Sequence, residues 1–277
     1  MKSFEWTRFC HTLRWVLISG RGTLVRMAVC MFILFFAIEE VFTLIMGHNM
    51  FGLSILVLAL CLFVWMVGMQ YAATQIIADT GEKTSAIRFL MHPASNLEKF
   101  IARWIYVTVV WAVVSALAFI AADTVSWAFN SLIKPHTAQA FQPMLWRTPS
   151  LIFSEDINFS EIPVSTLEEM AMLALMSEWG HSMYILGGTV FRRHRFVLTL
   201  FASYILNMVF SLFIYTMPGK DPLLRMLDYA SISYWWMAVV AGLIVLNYLA
   251  AYRIFTRTEV VGGRYVNARY SMLFRNK

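Results

Sequence analysis

Charged residues are scarce in this sequence, and their scarcity is organised. Asp, Glu, Lys and Arg make up 14% of 277 residues and hydrophobic residues 60%. A soluble domain carries about 25% charge. Stretches 51–78, 104–122, 196–219 and 229–252 hold no Asp, Glu, Lys or Arg. A hydrocarbon core of ~30 Å needs about 20 helical residues to cross it. A charge near the bilayer centre costs about 2.5–3.5 kcal/mol. Lipid is the solvent these stretches fit.

Cysteine is nearly absent. Cys10, Cys30 and Cys61 are odd in number and show no CxxC or metal-ligand spacing. They exclude a disulfide framework and read as small apolar filler or ordinary thiols. The common catalytic signatures are missing too. The chain has no HExxH and no Gly-x-Ser-x-Gly. It also has no Gly-x-x-x-x-Gly-Lys-Ser/Thr run. Pro218-Gly219-Lys220-Asp221 is the nearest fragment and lacks both the earlier glycine and the hydroxyl. No catalytic residue, metal or cofactor is expected.

Six membrane helices are predicted, at about 24–46, 52–78, 100–129, 167–191, 196–217 and 231–254. The first is interrupted by Arg26, Glu39 and Glu40, the fourth by Glu178 and His181. Ahead of them, Trp6, Phe9, Leu13, Val16 and Leu17 recur at helical spacing, with Glu5, Arg8, Thr12 and Arg14 largely elsewhere on the wheel. That predicts an amphipathic helix over 1–23 lying on the membrane surface. The fold class expected is therefore all-α: a surface helix followed by one six-span membrane domain over 24–277.

Six spans put both termini on one side. On that basis 18 of the 22 Lys and Arg residues fall on the side of the termini. They cluster in the first 26 residues, between the second and third spans, at Arg192, Arg193 and Arg195, and after the sixth span. Lys134, Arg147, Lys220 and Arg225 fall on the other side, with the acids Glu155, Asp156, Glu161, Asp221 and Asp228. The asymmetry places both termini in the cytoplasm. Dropping one span would scatter the clusters over both faces. The net charge of +6 is thus membrane orientation, and no nucleic-acid partner is expected.

Two connections are long. The outer one, 130–166, carries Pro135, Pro143, Pro149 and Pro163 between apolar pieces. The cytoplasmic one, 79–99, has more local order. Gly81 is placed to end the second span. A short helix is predicted over 84–91, and Pro93 stops it. Ser95 and Glu98 form a Ser-x-x-Glu capping box that starts the next helix. The short helix is expected to expose Ile87, Phe89, Leu90 and Met91 beside Arg88. Such an apolar surface asks for a partner or for lipid.

The run Pro93-Ala94-Ser95-Asn96-Leu97-Glu98-Lys99-Phe100 and the helix before it resemble the coupling-helix region of ABC transporter permeases of the type-2 exporter family. His181-Ser182-Met183-Tyr184-Ile185-Leu186-Gly187-Gly188-Thr189-Val190-Phe191-Arg192-Arg193 is similar to the end of the fourth span in bacterial relatives. The layout of surface helix, six spans and cytoplasmic termini matches as well. The resemblance implies a permease subunit of an ATP-driven exporter in a bacterial inner membrane, without its own ATPase. It implies a homodimer, or a heterodimer with a paralogue. It also implies a separate ATPase docking on Thr84, Ile87, Arg88, Phe89, Leu90 and Met91.

Polar groups within the predicted spans open a second reading. Glu178 and His181, three apart, share a helix face. Asp123, Glu39 and Glu40 are further carboxyl candidates. An ion-coupled carrier or intramembrane enzyme would use such residues. Interhelical hydrogen bonding would use them equally well. A structural membrane protein without transport is the third alternative.

Overall fold

The structure is a computed structural model that describes residues 4–46, 50–77, 87, 89, 91–133, 164–216 and 234–257. Most of the described residues are helical, with no strand among them. The helices are α1 (Trp6–Met46), α2 (Met50–Thr74), α3 (Asn96–Ile105), α4 (Trp111–Ile133), α5 (Val164–Val190), α6 (Arg195–Thr216) and α7 (Tyr234–Thr256). A π-helical turn, Tyr106–Val110, joins α3 to α4 without a break. Three helical stretches are long and apolar enough to cross a membrane: Leu56–Thr74, Asn96–Leu132 and Met237–Thr256. In α6 the stretch Arg195–Val209 is apolar and shorter.

Helix α1 differs from the sequence expectation in its continuity. A surface helix ending near residue 23 was expected ahead of a separate span, yet α1 runs unbroken for 41 residues. At 1.5 Å per residue it is about 60 Å long, roughly twice the hydrocarbon thickness. Phe9 and Val16, from the expected lipid-facing stripe, are buried in the protein together with Thr12. The expected outer connection lies largely outside the described residues.

The chain forms two compact units. One comprises Met1–Thr12, Gln70–Trp104 and Pro163–Lys277; the other comprises Leu13–Met69 and Ile105–Ile162.

In the first unit α5 packs along α7 and against α6. The Gly187-Gly188 pair near the end of α5 explains how closely. A Cβ on Gly188 would come within 2.6 Å of the Thr74 carbonyl oxygen, and one on Gly187 would meet the Thr199 side chain. Ala72, Ala73, Thr74 and Thr189 are accordingly inaccessible. Small residues allow helix backbones this approach. After α5 the chain turns at once into α6 through His194, whose φ of 48° is left-handed.

In the second unit α1, α2 and α4 share a core of Met31, Phe35, Val57, Cys61, Ala118 and Ala122. Phe35 meets Phe119 edge to face at 5.3 Å. The Trp65 indole N–H donates to Ser115 Oγ at 2.7 Å, and the Tyr106 hydroxyl donates to the Gly20 carbonyl at 3.0 Å. The small pair that admits close packing on α4 is Ala118 with Ala122.

Gly188→Ala forces its methyl into the Thr74 backbone, which has no rotamer to yield, and should destabilise by about 1–3 kcal/mol. Gly242, beside which a Cβ meets nothing within 4 Å, is the control. Thermal unfolding in detergent should show a lower Tm for Gly188→Ala and no decrease for Gly242→Ala.

Candidate functional site: the loop before α3 and its anchor

The capping box read from the sequence is present. Ser95 Oγ accepts the Glu98 backbone N–H at 3.3 Å, and Glu98 Oε2 accepts the Ser95 N–H at 2.8 Å. The Lys99 N–H donates to the Ser95 carbonyl at 3.0 Å, the first turn of α3.

Glu98 does more than close this box. Its carboxylate also accepts Arg8 Nε at 2.8 Å and Arg8 Nη2 at 2.7 Å, a two-pronged guanidinium contact. The Glu5 backbone N–H donates to the same carboxylate at 2.9 Å. Glu5 is the cap of α1, since its carbonyl accepts the Phe9 N–H at 2.9 Å. One carboxylate therefore caps two helices, α3 through Ser95 and α1 through Glu5. Negative charge at both N-termini suits both helix dipoles. Glu98 is fully buried, so these donors replace water. It lies ahead of the charge-free stretch that begins at Trp104. The Arg8 guanidinium, first, and then the Glu5 and Ser95 donors hold its carboxyl at about 2 against the opposing effect of burial.

The Thr12 hydroxyl gives its proton to the Arg8 carbonyl at 2.9 Å. Its oxygen then accepts from His92 Nε2 at 3.3 Å. Burial pushes the His92 ring below its ordinary value, and the Lys99 ammonium pushes the same way. A neutral ring with its proton on Nε2 fits this contact.

Phe89 is the second anchor. The sequence placed it on the exposed side, yet it is 5% exposed. Its ring meets Phe255 edge to face at 5.7 Å. Lys99 Nζ stands 5.5 Å and Arg103 Cζ 5.2 Å from its centroid. Phe100 joins at 5.3 Å from Phe255 and 5.4 Å from Tyr252. Aromatic edges and two cations over a ring face are favourable, each by about 0.5–1.5 kcal/mol. That attraction pulls Phe89 inward.

Ile87, Phe89 and Met91 are each helical. Ile87 and Met91, four apart, share a face, and Phe89 points to the opposite one. With Phe89 buried, Ile87 is 44% and Met91 79% exposed. Of the other expected docking residues, Thr84, Arg88 and Leu90 lie outside the described residues.

The polar candidates sort differently. Glu178 accepts a hydrogen bond from the Tyr248 hydroxyl of α7, and that hydroxyl accepts the Trp104 indole N–H at 3.3 Å. One turn on, Asn247 Nδ2 donates to Ser182 Oγ at 3.0 Å. These contacts join α5 to α7. His181 is buried beside them. In the second unit Glu40 Oε1 accepts from Ser126 at 2.7 Å and from Asn130 at 3.0 Å, and Glu39 and Asp123 are buried. Among the described residues no three His, Cys, Asp or Glu stand close enough to hold a metal ion.

Sequence reasoning found Ser95 and Glu98 and missed Arg8, Phe255 and Tyr248. The box motif marks Glu98, but nothing in local spacing marks partners 70 or more residues away.

Among the described residues these helices, three of them long and apolar enough to cross a bilayer, are compatible with a membrane protein. No family model matches it, and no curated protein or solved structure is similar to it.

Glu98→Gln keeps the size and loses the charge-assisted contacts, which contribute about 1.5–3 kcal/mol each. It should lower Tm in detergent, and adding Arg8→Ala should lower it by less than that change does alone. The Glu98 carboxyl sits below the unfolded value of about 4.3, so its stabilisation is full above that pH and fades as pH falls toward 2. Glu98→Gln should flatten the Tm-versus-pH curve between about pH 5 and 2. An unchanged slope would contradict the assignment.

Proposed function

We propose that the chain is the membrane-spanning permease subunit of an ATP-driven exporter, driven by a separate cytoplasmic ATPase. In this reading α1 from about residue 24, α2, the joined α3–α4 from about residue 100, α5, α6 and α7 are six spans. Both termini are cytoplasmic, and the membrane is a bacterial inner membrane. The N-terminal turns of α1 supply the surface helix. Two such subunits, identical or paralogous, enclose the pathway. The subunit carries no ATPase chemistry of its own.

Three supports converge. The 18-of-22 distribution of Lys and Arg gathers on the side of the termini. The described residues include three apolar helices of membrane-crossing length. The observation that carries the reading is the anchored loop. Phe89 and Glu98 fasten it from within, so Ile87 and Met91 face outward as a one-turn apolar patch. An apolar pair on a fastened support suits a protein partner, because little conformational freedom is lost on docking. Closure of an ATPase against the patch would pass through Glu98 to α1 and α3 and through Phe89 to α7. The transmitted movement is a tilt of the first unit's helices. The Glu178–Tyr248 and Ser182–Asn247 contacts would carry it from α7 to α5.

The ATPase should co-purify with the chain from its native membrane. Ile87→Glu and Met91→Glu, each adding charge to a central apolar contact, should reduce recovery by about tenfold or more. Met91→Leu should restore it, and Tm should stay unchanged in all three because the side chains are exposed. Undiminished recovery with both glutamates would remove the docking site.

A further inference from the structure

The most exposed basic stretch of α1 has the form of a lipid site. Arg21, Gly22 and Arg26 are all exposed. Arg26 Nε donates to the Gly22 carbonyl at 3.2 Å, and its Nη2 lies 3.5 Å from Thr23 Oγ1. The guanidinium is thus folded back along the Gly22 turn. Arg21 lies beside Gly22 on its other flank. Among the described residues the ion pairs are those of Arg8 with Glu5 and with Glu98. Among the described residues neither Arg21 nor Arg26 faces a carboxylate.

The two glycines of this segment differ. A Cβ on Gly20 would lie 2.3 Å from the Tyr106 hydroxyl, so the protein's own packing requires that glycine. A Cβ on Gly22 would meet nothing within 4 Å. A glycine inside a helix costs about 1 kcal/mol relative to alanine. Among the described residues no contact offsets that cost at Gly22. Its open side faces outward, between Arg21 and Arg26 in the sequence.

Beside and beyond Arg26 the exposed stripe is apolar. Val25, Val29 and Ile33 are 62%, 51% and 56% exposed and recur four residues apart. Two exposed cations at one end of an outward face and apolar side chains along the rest of it match a phospholipid with an anionic headgroup. Guanidinium groups match phosphate oxygens in both charge and geometry.

We propose that Arg21, Gly22 and Arg26 form a binding site for the phosphate of an anionic phospholipid. Its acyl chain lies along Val25, Val29 and Ile33. The site rests on the part of the proposed function that takes α1 into the membrane near residue 24; it needs neither ATPase nor substrate. Bound lipid sets the depth at which α1 enters the bilayer.

The test uses the full chain in nanodiscs of phosphatidylglycerol and phosphatidylcholine, with native mass spectrometry of the lipid retained after transfer to detergent. The wild-type chain should retain phosphatidylglycerol in preference to phosphatidylcholine. Arg21→Gln and Arg26→Gln should each lower that retention by about fivefold. Gly22→Leu keeps both charges and fills the gap, and it should lower retention as well. Its Tm should not fall, since its side chain meets nothing in the protein.

Equal retention of the two lipids would overturn the proposal. Undiminished retention in Gly22→Leu would reduce it to unspecific charge attraction. Displacement of the lipid by millimolar inorganic phosphate would assign the site to a soluble anion instead. Loss of the lipid preference with the ATPase still co-purifying would sink this inference alone. Loss of ATPase with the preference intact would sink the exporter reading alone.

Discussion

A carboxylate with no access to water must find enough donors to replace it, and Glu98 finds them on two helices. Its own capping box satisfies it only in part through Ser95. The remaining lone pairs are filled by Arg8 and by the cap amide of α1. The requirement is local, but its solution fixes the beginning of α1 against the beginning of α3. The loop that enters α3 therefore has a fixed end. A capping residue that met only its own helix would leave the first turns of α1 free of this constraint.

Phe89 fixes the other end of that loop by a different interaction. A phenyl ring with Phe255 at its edge and Lys99 and Arg103 near its face is held by quadrupole electrostatics as well as by burial. Both cations lie on α3, whose start Glu98 caps, so the two anchors share one helix. What remains outside is the opposite face, Ile87 and Met91. The proposed exchange of force with an ATPase depends on this division of one helical turn into an inward and an outward side. The polar contacts between α5 and α7 extend the same unit. Glu178, the most conspicuous polar residue of the predicted fourth span, is engaged with Tyr248. That pairing supports interhelical bonding over ion coupling.

The sequence was legible where the physics is local. Ser95 with Glu98 marked a helix start. Stretches without charge marked three helices of membrane-crossing length. It was opaque where the partner is distant. Nothing near Phe89 announces Phe255, and the short helix reads as apolar on every side until that ring claims one of them. Arg8 reads as one basic residue among several. The continuity of α1 was hidden for a related reason. The amphipathic stripe ends before the apolar stretch begins, but the Tyr106 hydroxyl bonded to the Gly20 carbonyl supports the helix from outside it. The polar residues were visible, yet their depth and partners follow from packing rather than from spacing.

The central claim is that Glu98 joins the start of α1 and the loop before α3 into one body. Amide hydrogen exchange of the full chain in detergent, resolved over residues 5–12 and 87–100, tests it directly. The account predicts slow exchange in both segments for the wild-type chain and a simultaneous loss of protection in both for Glu98→Gln. Fast exchange of the loop in the wild type, or loss of protection in one segment with the other untouched, would contradict it.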